Sequence, residues 1–109
     1  MTPDTSGAPD WLLVRQGSIS PEERGVLAAV RRRLAERGES FATVLLGTAS
    51  YDAEGPAGAD GPPGELWLLE DDARGRGVRA GPVGIPVRTV SASELVHGLM
   101  SAKRVVQFP

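Results

Sequence analysis

Short apolar runs alternate along this chain with longer stretches in which apolar residues recur at helical spacing. Trp11-Leu12-Leu13-Val14 is the first run. It does not alternate with polar residues, so it predicts a strand buried on both faces. Gly17 and Ser18 end it. Ser20-Pro21-Glu22-Glu23 follows, with serine at the N-cap, proline at N1 and glutamate at N3, which is a capping box. Val26, Leu27, Val30 and Leu34 then fall on one stripe of a helix. Arg31, Arg32, Arg33 and Arg37 crowd the last turns, where cations complement the helix dipole, and read as a solvated face. Gly38 stands where a helix stop belongs. The spacing predicts a helix over 21–37.

Phe41 to Leu46 predicts a second buried strand, and Gly47-Thr48-Ala49-Ser50-Tyr51 a loop after it. Residues 52–64, DAEGPAGADGPPG, are small, polar and rich in Gly and Pro, and predict a flexible surface loop. Leu66 to Leu69 is a third strand. Val83 to Val90, with Pro86 near its start, contains a fourth. Ser91-Ala92-Ser93-Glu94 repeats the capping box, and Leu95, Val96, Leu99 and Met100 give the helix behind it one apolar face. Arg104 to Phe108 is a fifth strand. Trp67, Val105 and Val106 are core candidates, and Trp11 a candidate for a subunit interface. Strands alternating with helices predict an α/β fold, a three-layer α/β/α sandwich around a mainly parallel five-stranded sheet. Right-handed crossovers place helices on both of its faces.

Composition narrows the class. The 109 residues suit one domain, expected over 11–109 behind a disordered leader at 1–10. A chain this long buries roughly two thirds of its extended surface, enough for a core without staples. Net charge is −2, which argues against a general nucleic-acid binder. No apolar run approaches the roughly 20 residues that span a bilayer, so no membrane association is expected. The first ten residues lack a basic start and an apolar core, so a cytoplasmic location is expected. Cysteine is absent, which removes disulfides, thiolate metal sites and persulfide chemistry. Arginine outnumbers lysine, present only as Lys103, as in GC-rich bacterial genomes.

In sheets of this kind ligands bind outside the carboxyl ends of the strands. That edge makes Gly17, Ser18, Thr48, Ser50, Tyr51, Glu70 and Asp71 the candidate ligand residues, for a nucleotide or an anion. Glu70-Asp71-Asp72 has the hard oxygen donors a divalent cation prefers. The favoured reading is that these acids fill the first turn of a short helix and complement its dipole. No metal or other cofactor is therefore expected. Gly75, Gly77, Gly81 and Gly84 follow the acids instead of leading into a helix, which is the wrong order for a phosphate loop. His97, the single histidine, reads as structural or exposed more readily than as a general base. No Gly-x-Ser-x-Gly pattern supports a serine nucleophile at Ser50. No catalytic residue emerges.

The order "ELWLLEDDARGRGV", then "IPVRTVSASELVHGLM", then "SAKRVVQF" resembles the DsrE/DsrF/DsrH-like sulfur-relay family, nearest its DsrH (TusB-like) branch. The resemblance is strongest over 65–108; over 11–53 it rests on Tyr51 and Ala53 in the loop after the second strand. It implies a DsrE-like α/β fold and assembly into homo-oligomers, or hetero-oligomers with DsrE-like chains. Two departures stand out. The family has a helix between the second and third strands, where this chain has the Gly/Pro stretch. The family's sulfur carriers use a cysteine that this chain lacks. The resemblance therefore implies a non-catalytic interaction or assembly subunit. A small-ligand module using the carboxyl-edge loops is the alternative.

Overall fold

The computed structural model describes residues 9–49, 65–77 and 87–108. The expected leader through residue 8, the 52–64 loop, Ser50, Tyr51, and Gly81 and Gly84 lie outside the described residues. Within them the chain runs β1 (Trp11–Arg15), α1 (Pro21–Glu36), β2 (Phe41–Leu45), β3 (Glu65–Leu69), α2 (Glu70–Arg76), β4 (Val87–Val90), α3 (Ala92–Ser101) and β5 (Arg104–Phe108). The five strands form one sheet in the order β4-β3-β2-β1-β5, every neighbouring pair parallel. The α/β fold class expected from the alternation of elements is what the chain adopts.

Strand register sorts the side chains onto two faces, because successive residues point to opposite sides. Leu13 pairs with Thr43 and Val106, and Thr43 with Leu66. This first face carries α1 and α2. Leu13, Phe41 and Phe108 meet Ile19, Leu27 and Leu34 in one cluster. Leu45, Leu66 and Leu68 meet Ala73 of α2 in another. On the opposite face Leu12, Val14, Ala42, Val44, Trp67 and Val90 form a third cluster, with Leu95 and Ala102 packed against it. Here α3 supplies the third layer. The central strands β1 and β2 are covered on both faces, as their unbroken apolar runs require.

Both capping boxes form. The Ser20 hydroxyl accepts from the Glu23 N–H at 3.1 Å, and the Glu23 carboxylate accepts from the Ser20 N–H at 2.8 Å. Ser91 and Glu94 repeat this at α3 with 3.2 and 2.8 Å. Helix α1 ends at Glu36 with Arg37 as C-cap, and Gly38 takes the left-handed conformation at φ 71°.

Two helix faces differ from the expected ones. In α1 the buried stripe is Leu27, Arg31 and Leu34, and Val26 is 56% exposed. Arg31 stands four residues after Leu27 and three before Leu34, so helical geometry carries it under the helix despite its charge. In α3 only Leu95 of the expected apolar face packs on the sheet, beside Gly98 and Ala102. Val96, Leu99 and Met100 are exposed, as is Val105 of β5, which was expected in the core.

The cause of the α3 rotation is Gly98. A Cβ built there would lie 2.8 and 2.9 Å from Cζ3 and Cη2 of the Trp67 ring, which is 2% exposed. Absence of a side chain lets the helix backbone close on the indole, and that contact fixes which side of α3 faces the sheet. At Gly25, in α1, a Cβ would meet nothing within 4 Å. Helix propensity alone favours Ala over Gly by about 1 kcal/mol at either position. Gly25→Ala is therefore expected to stabilise the chain by roughly 0.5–1 kcal/mol. Gly98→Ala is expected to destabilise it by about 1–3 kcal/mol through overpacking. Urea denaturation of both variants checks this, and a stabilising Gly98→Ala contradicts the contact.

Candidate functional site

The carboxyl edge of the sheet is built from the ends of β1, β2 and β3. Leu46 N–H donates to the Arg15 carbonyl at 2.8 Å, which holds the loops after β1 and β2 together. Gly47 sits there at φ 57°, with its Cα so near the Gln16 carbonyl that a Cβ would stand 2.9 Å from that oxygen. Gly17 and Thr48 are brought together, a Cβ on Gly17 lying 3.6 Å from the Thr48 hydroxyl. Ser18 is exposed beside them. Ser50 and Tyr51 lie outside the described residues.

The acids after β3 occupy the first turn of α2, where their charge complements the N-terminal amides. Their side chains go to different partners. Arg74 pairs with Glu70 and with Asp71 at 3.6 Å each, both on the exposed side of the helix. Asp72 turns inward. One carboxylate oxygen accepts from the Gly47 N–H at 2.9 Å, and the other pairs with Arg76 at 3.2 Å. Asp72 thus ties α2 to the loop after β2. Among the described residues no group of three or more His, Cys, Asp and Glu side chains gathers as a metal ion requires. Gly77 closes α2 in the left-handed conformation, so this glycine ends a helix.

Two amides at this edge are already occupied. Ser20 N–H is bonded to Glu23 and Gly47 N–H to Asp72, both carboxylates. An anion approaching the start of α1 meets Glu22 and Glu23, and one approaching Gly47 meets Asp72.

Two open clefts lie elsewhere. The first, about 350 Å³, runs between α3 and the β3–β4 side of the sheet, lined by Trp67, Arg88, Ser93, Glu94, His97 and Gly98. The Arg88 guanidinium stands 5.3 Å from the Trp67 ring centroid and 3.6 Å from the Glu94 carboxylate. Glu94 is held below the ordinary carboxylate range, chiefly by the Ser91 N–H, then by the Ser91 hydroxyl, with Arg88 adding a smaller pull. The charged groups of this cleft therefore satisfy one another, and exposed His97 sits at its rim. The second cleft, about 440 Å³, is at the amino edge, lined by Trp11, Arg37, Glu39, Lys103 and Arg104. Trp11 Nε1 donates to Glu39 at 2.8 Å, Arg37 pairs with Glu39 at 3.4 Å, and Lys103 with Asp10 at 3.7 Å.

Among the described residues, three polar side chains are buried on the α1 face: Arg15, Arg31 and Thr43. The Arg15 guanidinium donates to the Gly17 carbonyl at 3.3 Å. Residue type alone hides Arg31; its position within the Leu27–Leu34 stripe is the signal for its burial.

The feature that stands out is apolar. The flank of α3 carrying Ser93, Glu94 and His97 faces the cleft over β3 and β4. Val96, Leu99 and Met100 are 53%, 36% and 81% exposed on α3, away from the inward Leu95, Gly98 and Ala102. Val105, on the α3 face of β5, is 46% exposed. Large apolar side chains left in water on one face of the sheet are candidates for a contact. The sequence pattern groups the three helix residues with Leu95 on one apolar face and puts Val105 in the core, so their exposure is not legible from it.

The chain matches no protein-family model, no curated protein and no solved structure in comparisons with all three.

The two readings of the acids separate in stability. Asp72→Ala leaves the Gly47 N–H without its partner and is expected to cost about 1–3 kcal/mol. Asp71→Ala, at a side chain 79% exposed, is expected to change stability by less than about 0.5 kcal/mol. Equilibrium urea denaturation measures both, and equal losses contradict the assigned roles.

Proposed function

We propose that this chain is a non-catalytic DsrE/DsrH-like protein, an interaction or assembly subunit related to sulfur-relay complexes and lacking the persulfide cysteine. The observation that carries the reading is the exposure of Val96, Leu99 and Met100 on α3 and of Val105 on β5. Exposed apolar surface of this kind gains free energy when a partner covers it, at roughly 25 cal/mol per Å². Three further facts agree. The sequence has no cysteine, so a sulfur atom handled by the complex rides on a partner chain. The parallel sheet with helices on both faces is the fold the family resemblance implies. Among the described residues no helix is long and apolar enough to cross a membrane, in keeping with a cytoplasmic role.

The alternative, a small-ligand module for a nucleotide or an anion at the carboxyl edge, draws on the meeting of Gly17 with Thr48. Carboxylates of Glu23 and Asp72 hold the Ser20 and Gly47 amides and put negative charge where an anion would bind, and the docking reading is preferred for that reason.

Light scattering on the chain alone, and mixed with a cysteine-bearing DsrE-like protein, tests the reading. Association is expected in at least one of the two. The double variant V96E/M100E is expected to weaken it without unfolding, since both side chains are exposed. A wild-type chain that stays monomeric at high concentration in both samples contradicts an assembly role. Thermal midpoints with nucleotides, phosphate and Mg²⁺ are expected not to move. A ligand that binds the native state at 100 times its Kd adds about 2.7 kcal/mol and raises the midpoint, which would favour the alternative.

A further inference from the structure

The sheet ends on one side at β5, and among the described residues nothing pairs with its outer edge. Protected edges carry charges, prolines or bulges, or are very short. Strand β5, Arg-Val-Val-Gln-Phe, has one charge at its first position and no proline. The other edge strand, β4, is four residues long and places Arg88 within it. The unguarded edge is thus β5, which also carries exposed Val105.

Resting on the docking reading, we propose that the partner on this side is a second copy of the chain, joined through β5 in an antiparallel, two-fold pairing centred on Val106. A two-fold contact must be self-complementary, each residue i meeting j while j meets i. In this register Val106 faces its own copy, Val105 faces Gln107, and Arg104 faces Phe108. The only charge on the strand meets an aromatic ring, and no like charges oppose one another. A two-fold axis relating antiparallel edge strands stands perpendicular to the sheet, so both α3 layers fall on the same side. Val105 and the exposed apolar residues of α3 then lie on the same side of the joined sheet in both copies. A five-residue ladder alone is small against the roughly 800 Å² per partner that stable interfaces bury, and these apolar residues supply further area. Pairing of β5 with β4 of the next copy leaves a free edge at each end and grows without closing, whereas β5 with β5 closes at two.

The register dictates the test. Val105 and Gln107 share the α3 face and are exposed, so lysines there leave the core untouched. In V105K/Q107K every lysine of the contact faces a lysine of the other copy twice over. In V105K/Q107E every lysine faces a glutamate. Light scattering across a concentration series is expected to give twice the 11.4 kDa chain mass for the wild type. V105K/Q107K is expected to raise the dimer dissociation constant by about tenfold or more, and V105K/Q107E to restore it. Far-ultraviolet circular dichroism confirms that both variants fold. A wild-type dimer indifferent to V105K/Q107K, or V105K/Q107E as dissociated as V105K/Q107K, overturns the β5 pairing. A wild type that is monomeric alone yet associates with a cysteine-bearing DsrE-like protein also overturns it, while leaving the assembly role intact.

Discussion

The contact between Gly98 and the Trp67 ring governs what this protein presents to its surroundings. An α-helix with apolar residues at 95, 96, 99 and 100 would by hydrophobicity alone lay the middle of that stripe on the sheet. A bare backbone position at 98 changes the outcome. It lets α3 approach the indole within a distance that no side chain permits, and the helix turns so that Leu95, Gly98 and Ala102 become its inner surface. The free energy of covering Trp67, the largest of the fully buried side chains, outweighs what is lost by leaving Val96, Leu99 and Met100 in water. Outward apolar side chains at 96, 99 and 100 are the consequence, and the proposed docking role rests on them.

The carboxyl edge shows the opposite economy. In parallel α/β sheets this edge is where ligands collect, because loops and helix N-termini offer unpaired amides. Here two of those amides are met from within the chain. Glu23 closes the start of α1, and Asp72 reaches across to the Gly47 N–H while Arg76 neutralises it. Amides held by carboxylates offer little to a phosphate. Asp72, from the acids that the sequence concentrates near residue 70, thus fastens α2 to the loop after β2.

Much of this architecture is legible in the residues. The centres of β1, β2 and β3 fall on apolar runs, and β5 spans Arg104–Phe108 to the residue. Both capping boxes announce their helices because the hydrogen bonds are local and the spacing of Ser and Glu suffices to form them. The reading of Glu70–Asp72 as a helix first turn holds for the same reason. What the pattern conceals depends on contacts between distant segments. Arg31 is buried because of where the helix lands, and its charge misleads. Val96, Leu99, Met100 and Val105 are apolar and outward because Gly98 meets a ring that lies 31 positions earlier in the chain. Asp72 and Gly47 are 25 positions apart, and no local spacing links them.

A chain without cysteine permits a direct look at the orientation of α3. Single cysteines at Leu95, Val96 and Met100 report burial through their rates of thiol alkylation, with no background from native thiols. At protein concentrations low enough to favour the monomer, cysteines at 96 and 100 are predicted to react at rates near that of an unfolded peptide, and the one at 95 far more slowly. Equal rates at 95 and 96, or protection at 96 and 100 in the monomer, would show that Gly98 does not set the helix as described.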